Sequence, residues 1–175
     1  MAETVVDIAV HVNGGRRTLR VPAERLLVEM LREDLGLTGT HVGCDTSQCG
    51  ACVVLVDGRP VKSCTMLAAE ADGAEILTIE GLAREGPDGE PVWHPMQAAF
   101  HEHHGLQCGF CTPGMVVQAI AIVEAAEEPL TEARVRELLE GNLCRCTGYQ
   151  NIVEAVLDGA RRMGRAVAER GREPA

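Results

Sequence analysis

Eight cysteines carry the chemistry open to this sequence, and they fall four and four between its two halves. The first half holds Cys44, Cys49, Cys52 and Cys64, separated by four, two and eleven residues. C-x4-C-x2-C with a more distant fourth thiol is the plant-type [2Fe–2S] spacing. One tight loop wraps three of the four terminal thiolate positions of such a core, and a separate strand brings the last. The loop contains Gly43 and Gly50, where a missing Cβ lets backbone amides approach the sulfurs. Asp45, Thr46, Ser47 and Gln48 are compact or polar and tolerate an exposed wrap. The second half holds Cys108, Cys111, Cys144 and Cys146, a C-x2-C pair and a C-x-C pair with 32 residues between them. Cys111 directly precedes Thr112-Pro113, a predicted helix start, and Cys144 and Cys146 fall between two predicted helices. Helix N-termini carry partial positive charge and free N–H groups, which favours thiolate.

Four thiolates in two pairs suit a tetrahedral structural zinc as well as a second diiron core. Zinc fits the first set less well, because zinc ribbons use two short pairs. A thioredoxin-type use of Cys108 and Cys111 would leave six other cysteines unexplained. Disulfides would demand an oxidising compartment. Two adjacent metal centres account for all eight thiols.

The elements that must position these thiols divide the chain. Val6, Ile8, Val10 and Val12 recur at period two and predict a strand. Asn13-Gly14 turns it toward a second strand over Thr18 to Val21. After Pro22, Leu26, Leu27, Met30 and Leu31 share one side of a predicted helix, which Gly36 ends in the left-handed conformation. Cys52 to Val56 and Ile76 to Ile79 predict further strands, giving a small α+β unit over residues 1–81. Residues 82–95 break every period with Gly86, Pro87, Asp88, Gly89 and Pro91, and read as a linker. Over residues 96–165 the helical period dominates. Helices are predicted from Pro95, from Thr112-Pro113, from a Thr131 cap to Leu139, and from an Asn151 cap carrying Ile152, Val153, Val156 and Leu157. Short joins between four helices suggest a compact bundle. Residues 166–175 read as a charged, flexible tail, and no internal repeat is visible.

Composition narrows the partners. The chain has 175 residues, 16 basic against 26 acidic, a formal charge of −10, and only 2% aromatic residues. That balance argues against a phosphate backbone or an anionic membrane as the main partner, and aromatic stacking platforms are nearly absent. No apolar run reaches the ~18 residues that a membrane span needs. The acidic start, Met-Ala-Glu-Thr-Val-Val-Asp, shows no secretory signal, so a cytoplasmic location is expected.

The strings GCDTSQCGACVVLVDG, VKSCTM, GLQCGFCTPGM and GNLCRCTGYQNI resemble those of the small iron–sulfur subunits of molybdenum hydroxylases. That family includes xanthine dehydrogenase-type and aldehyde oxidoreductase-type enzymes. The Asp45–Gln48 loop and Val61–Met66 look most like the small subunit of aerobic carbon monoxide dehydrogenase. The resemblance implies a plant-ferredoxin-like β-grasp domain followed by a four-helix bundle domain. It implies one [2Fe–2S] cluster on Cys44, Cys49, Cys52 and Cys64, nearer a flavin, and a second on Cys108, Cys111, Cys144 and Cys146, nearer a molybdopterin. Gln107 and Cys146 stand at positions that commonly hydrogen-bond or abut that pterin. The implied role is to relay electrons from molybdenum, in a large partner subunit, to FAD, in a medium one, within a dimer of heterotrimers. Relatives oxidising an aldehyde, a purine or an N-heterocycle share most of these strings. No catalytic residue is expected in this chain, and no turnover from it alone.

Other side chains invite readings. His101, His103 and His104 cluster near Cys108, and with eight thiolates available they read as a polar helix end or a partner contact. Arg145, between two ligand candidates, could temper a reduced cluster or form an interface salt bridge. A free-standing ferredoxin is the rival from the same chemistry, though it would need no helical extension. A zinc-stabilised interaction protein is the rival from a different one.

Overall fold

The computed structural model describes residues 4–168. The predicted hairpin pairs β1 (Val5–Val12) antiparallel with β2 (Gly15–Pro22), in register from Val5 opposite Pro22 to Val12 opposite Gly15. Its turn has positive φ at both Asn13 and Gly14, the conformation a tight hairpin of this hand demands. Ile8, Val10 and Val12 are buried at the expected period. The helix is less regular than its periodicity suggests. A single α turn, α1 (Leu27–Glu29), runs straight into a π-helical stretch over Met30–Asp34, with Leu35 N–H bonded to Met30 O. Leu27, Met30 and Leu31 are still fully buried, and Gly36 closes the segment at φ +70°.

Three further strands complete a mixed sheet: β3 (Val53–Val56), β4 (Arg59–Lys62) and β5 (Glu75–Leu77). The order is β2-β1-β5-β3-β4, with β1 and β5 parallel and every other pair antiparallel. Every residue of β3 is buried. Val54 and Val56 enter a core with Ile8, Val10, Leu27 and Ile76, while Val53 and Leu55 enter a second core made by the helices. A strand apolar on both faces is what a sheet covered on both sides requires.

The four helices are α2 (Pro95–Glu102), α3 (Thr112–Ala125), α4 (Glu132–Leu138) and α5 (Gln150–Arg162). α3 is apolar nearly all round and is buried from Gly114 to Val117 and Ala119 to Val123, because it lies between β3 and the other helices. Pro95 does open α2, but its cap is His94, whose Nδ1 accepts from Met96 N–H while Gln97 Oε1 accepts from His94 N–H. Thr131 caps α4 as expected, its Oγ1 accepting from Arg134 N–H. α5 starts two residues earlier than predicted. Tyr149, at φ +68°, occupies its cap position, and Asn151 instead donates to His104 O.

Two expectations of irregular chain give way to pairing. Between the sheet and α2, β6 (Arg84–Glu85) and β7 (Pro91–Val92) form a small hairpin closed at Gly86–Gly89. Val167 forms a parallel bridge with Leu130, so the first residues of the expected tail return to the helices. Residues 169–175 of that tail lie outside the described residues. Among the described residues no helix is long and apolar enough to cross a membrane.

Candidate metal centres

The first four thiols lie at one end of the sheet. Cys44 and Cys49 are partly buried on the loop, Cys52 is buried just before β3, and Cys64 is buried in a short 3-10 turn just after β4. Val53 opposite Lys62 in the ladder is what brings Cys52 and Cys64 alongside each other. The loop closes through left-handed residues at Asp45, Ser47 and Gly50. Cys49 N–H points at Cys44 Sγ, 3.4 Å away. The amides of Cys49, Thr46 and Gln48 together hold the Cys44 thiol down at about 6, a thiolate-favouring setting. Burial works the other way on Cys52, pushed up to about 11 with Cys64 and Cys49 adding to the effect.

The second four thiols lie on the loops that lead into α3 and α5. Cys108 and Cys146 are exposed, with their sulfurs 3.4 Å apart. Cys111, immediately before α3, and Cys144 are partly buried and touch each other. The Phe110 amide favours the Cys108 thiolate. Burial opposes ionisation of Cys144, but the Thr147 hydroxyl, 3.2 Å from Sγ, with the Thr147 and Cys146 amides, outweighs it. Desolvation raises Cys111 to about 12. Tyr149, absent from the sequence-based reading, holds this loop: its phenol accepts from Cys144 N–H at 2.8 Å and donates to Asn142 O at 3.1 Å. Gln107 precedes Cys108 and is exposed, as is Cys146.

In each set the four thiols lie close enough to interact: the Cys108 and Cys146 sulfurs are 3.4 Å apart, and Cys49 N–H reaches Cys44 Sγ at 3.4 Å. Four thiol donors in each set suit a two-iron core, which takes two terminal thiolates on each iron. Residues and group therefore fit.

The two sets are locked together. Leu143 N–H donates to Cys49 O at 2.8 Å, which links a cysteine of the first set to the neighbour of one in the second. The buried Asn142 side chain donates to Gly50 O and Gly114 O, at 3.2 and 3.3 Å. The contact is so close that a Cβ on Gly50 would stand 2.5 Å from Gly141 O, and one on Gly114 would stand 2.3 Å from Gly50 O. His41 adds a second tie, stacking on Phe110 and bonding its carbonyl at 2.8 Å.

The histidines lie at the C-terminal end of α2. His103 pairs with Asp158, His101 meets Trp93 edge-on, and His104 ends the helix at φ +52°. Arg145 is exposed.

Fold and thiols thus define a two-domain protein of the [2Fe–2S] class. Residues 10–78 match the 2Fe–2S iron–sulfur cluster binding domain, and residues 78–157 match the [2Fe–2S] binding domain. The nicotine 6-hydroxylase small subunit of Paenarthrobacter nicotinovorans is 51% identical over 159 residues, covering 91% of this chain and 92% of its own. The caffeine dehydrogenase subunit gamma of Pseudomonas sp. (strain CBB1) is 48% identical over 151 residues, with 85% and 87% covered. The crystal structure of quinoline 2-oxidoreductase from Pseudomonas putida 86 superposes with a TM-score of 0.82 at 42% identity, over 90% of this chain and 97% of that one. The chain belongs to the small iron–sulfur subunits of the molybdenum hydroxylases. Its role is that of an electron-transfer subunit within that oxidoreductase family.

Proposed function

We propose that Cys44, Cys49, Cys52 and Cys64 hold one [2Fe–2S] cluster, and Cys108, Cys111, Cys144 and Cys146 a second. The gathering of four thiols at each of two places carries this reading. A bound cluster of this type supplies a site that takes up and gives back one electron at a time. The chain's own contribution is electrostatic and geometric. The Cys49, Thr46 and Gln48 amides stabilise negative sulfur in the first set, and the Thr147 hydroxyl and the Phe110 amide do so in the second. The Leu143–Cys49 hydrogen bond gives a short bonded route between the sets, and the Asn142 lock holds its length fixed.

The partners are a large subunit carrying molybdopterin and a medium subunit carrying FAD, and the chain relays electrons from the first to the second in the cytoplasm. Exposed Gln107 and Cys146 offer the side facing the pterin. The domain division at 1–81 and 96–165, joined by 82–95, assigns one cluster to each part. Nicotine, caffeine and quinoline, named for three relatives, are all nitrogen heterocycles, which supports a substrate of that class for the assembled enzyme. Carbon monoxide is the second reading, carried by the Asp45–Gln48 and Val61–Met66 strings. Replacing Cys111→Ser tests the ligand assignment. One of two reduced-cluster EPR signals should vanish while the other persists, and survival of both would exclude Cys111 as a ligand.

A further inference from the structure

One cation is tied into the first loop. Lys62 ends β4, and its partly buried Nζ donates to Ser47 O at 2.8 Å, within the turn between Cys44 and Cys49. The ammonium also lies near Gly141 on the facing loop, where an added Cβ would stand 3.6 Å from it. Among the described residues no carboxylate pairs with Lys62, although the acidic chain offers many. Asp45, the nearest acid along the loop, is exposed, where water and salt screen it. Among the described residues the second set has no equivalent: Arg145 is exposed, so its charge is screened in the same way.

We propose that Lys62 is the charge that raises the reduction potential of the first cluster above what its thiolates alone would set. The inference rests on Cys44, Cys49, Cys52 and Cys64 forming a cluster site. A [2Fe–2S] core with four thiolates goes from −2 to −3 on taking one electron. A fixed positive charge in the same loop favours the −3 state, and partial burial strengthens the attraction over that of a surface charge. Lys62 is a positioning residue, acting on the cluster through its charge and not as a ligand.

Potentiometric EPR titration of the assembled enzyme, metal-loaded and handled anaerobically, tests it. Lys62→Met should lower the first-cluster midpoint by the equivalent of about a tenfold change in its one-electron equilibrium, which is about 59 mV. The second-cluster midpoint should move less. Lys62→Gln keeps an N–H for Ser47 O but loses the charge, so it should fall as far as the Met variant and serves if Met is not tolerated. Lys62→Arg should stay near the parent value. Unchanged midpoints, equal shifts of both clusters, or a Gln variant that matches the parent would overturn the assignment. Absence of any first-cluster signal in the parent enzyme would instead strike at the cysteine set itself.

Discussion

Asn142 is a buried polar side chain with both amide hydrogens committed across the joint between the two halves. Truncation in Asn142→Ala removes two hydrogen bonds, each worth about 0.5–1.5 kcal/mol net. It also leaves a small void where packing is tight enough to exclude a Cβ on Gly50 or Gly114. Gly50 O keeps Val53 N–H as a partner at 3.3 Å, so it is not orphaned. The sum is about 2–3 kcal/mol. For a domain of this size that lowers Tm by about 4–12 °C. Asn142→Asp should cost more, because a carboxylate can only accept and would face two carbonyl oxygens. Thermal unfolding of the metal-loaded protein should therefore rank the parent above Ala and Ala above Asp. In the Ala variant, EPR should show both reduced clusters with weaker magnetic interaction between them, since the joint fixes their separation. An Asp variant as stable as the Ala variant, or an unchanged Tm in Ala, would show that this amide does not hold the halves together.

Two further substitutions probe the same joint from either side. Gly114→Ala would stabilise an exposed helix by up to about 1 kcal/mol. Here the new Cβ meets the Gly50 and Ala51 carbonyls at 2.3 and 2.9 Å, so the sign reverses, with lower Tm and reduced iron content by colorimetric assay. Tyr149→Phe deletes the phenol that bonds Cys144 N–H and Asn142 O, and should cost about 1–2 kcal/mol. Its spectroscopic effect should be confined to the second cluster, and an equal change in both EPR signals would count against that local role.

The thiols were readable from the sequence because their spacing is local: three sit on one loop, and two pairs sit at helix boundaries. The hairpin, the Gly36 stop and the Thr131 cap were readable for the same reason, each depending on residues a few positions apart. The joint was not. Asn142, Gly50 and Gly114 are distant in sequence, and nothing around any one of them announces the other two. Tyr149 escaped because a bulky left-handed residue is a rare helix cap and its hydroxyl does its work in the preceding loop. Asn151, the better cap by type, was drawn off by the His104 carbonyl. In residues 82–95, turn-forming composition obscured a hairpin too short to show a period.

The double burial of β3 has a consequence for how this polypeptide would behave in pieces. A fragment ending before residue 90 would present Val53 and Leu55 to water, and the complementary fragment would leave α3 without its floor. Neither piece would stand alone as a module. The distance an electron must cross is set by the same packing that makes the chain fold at all.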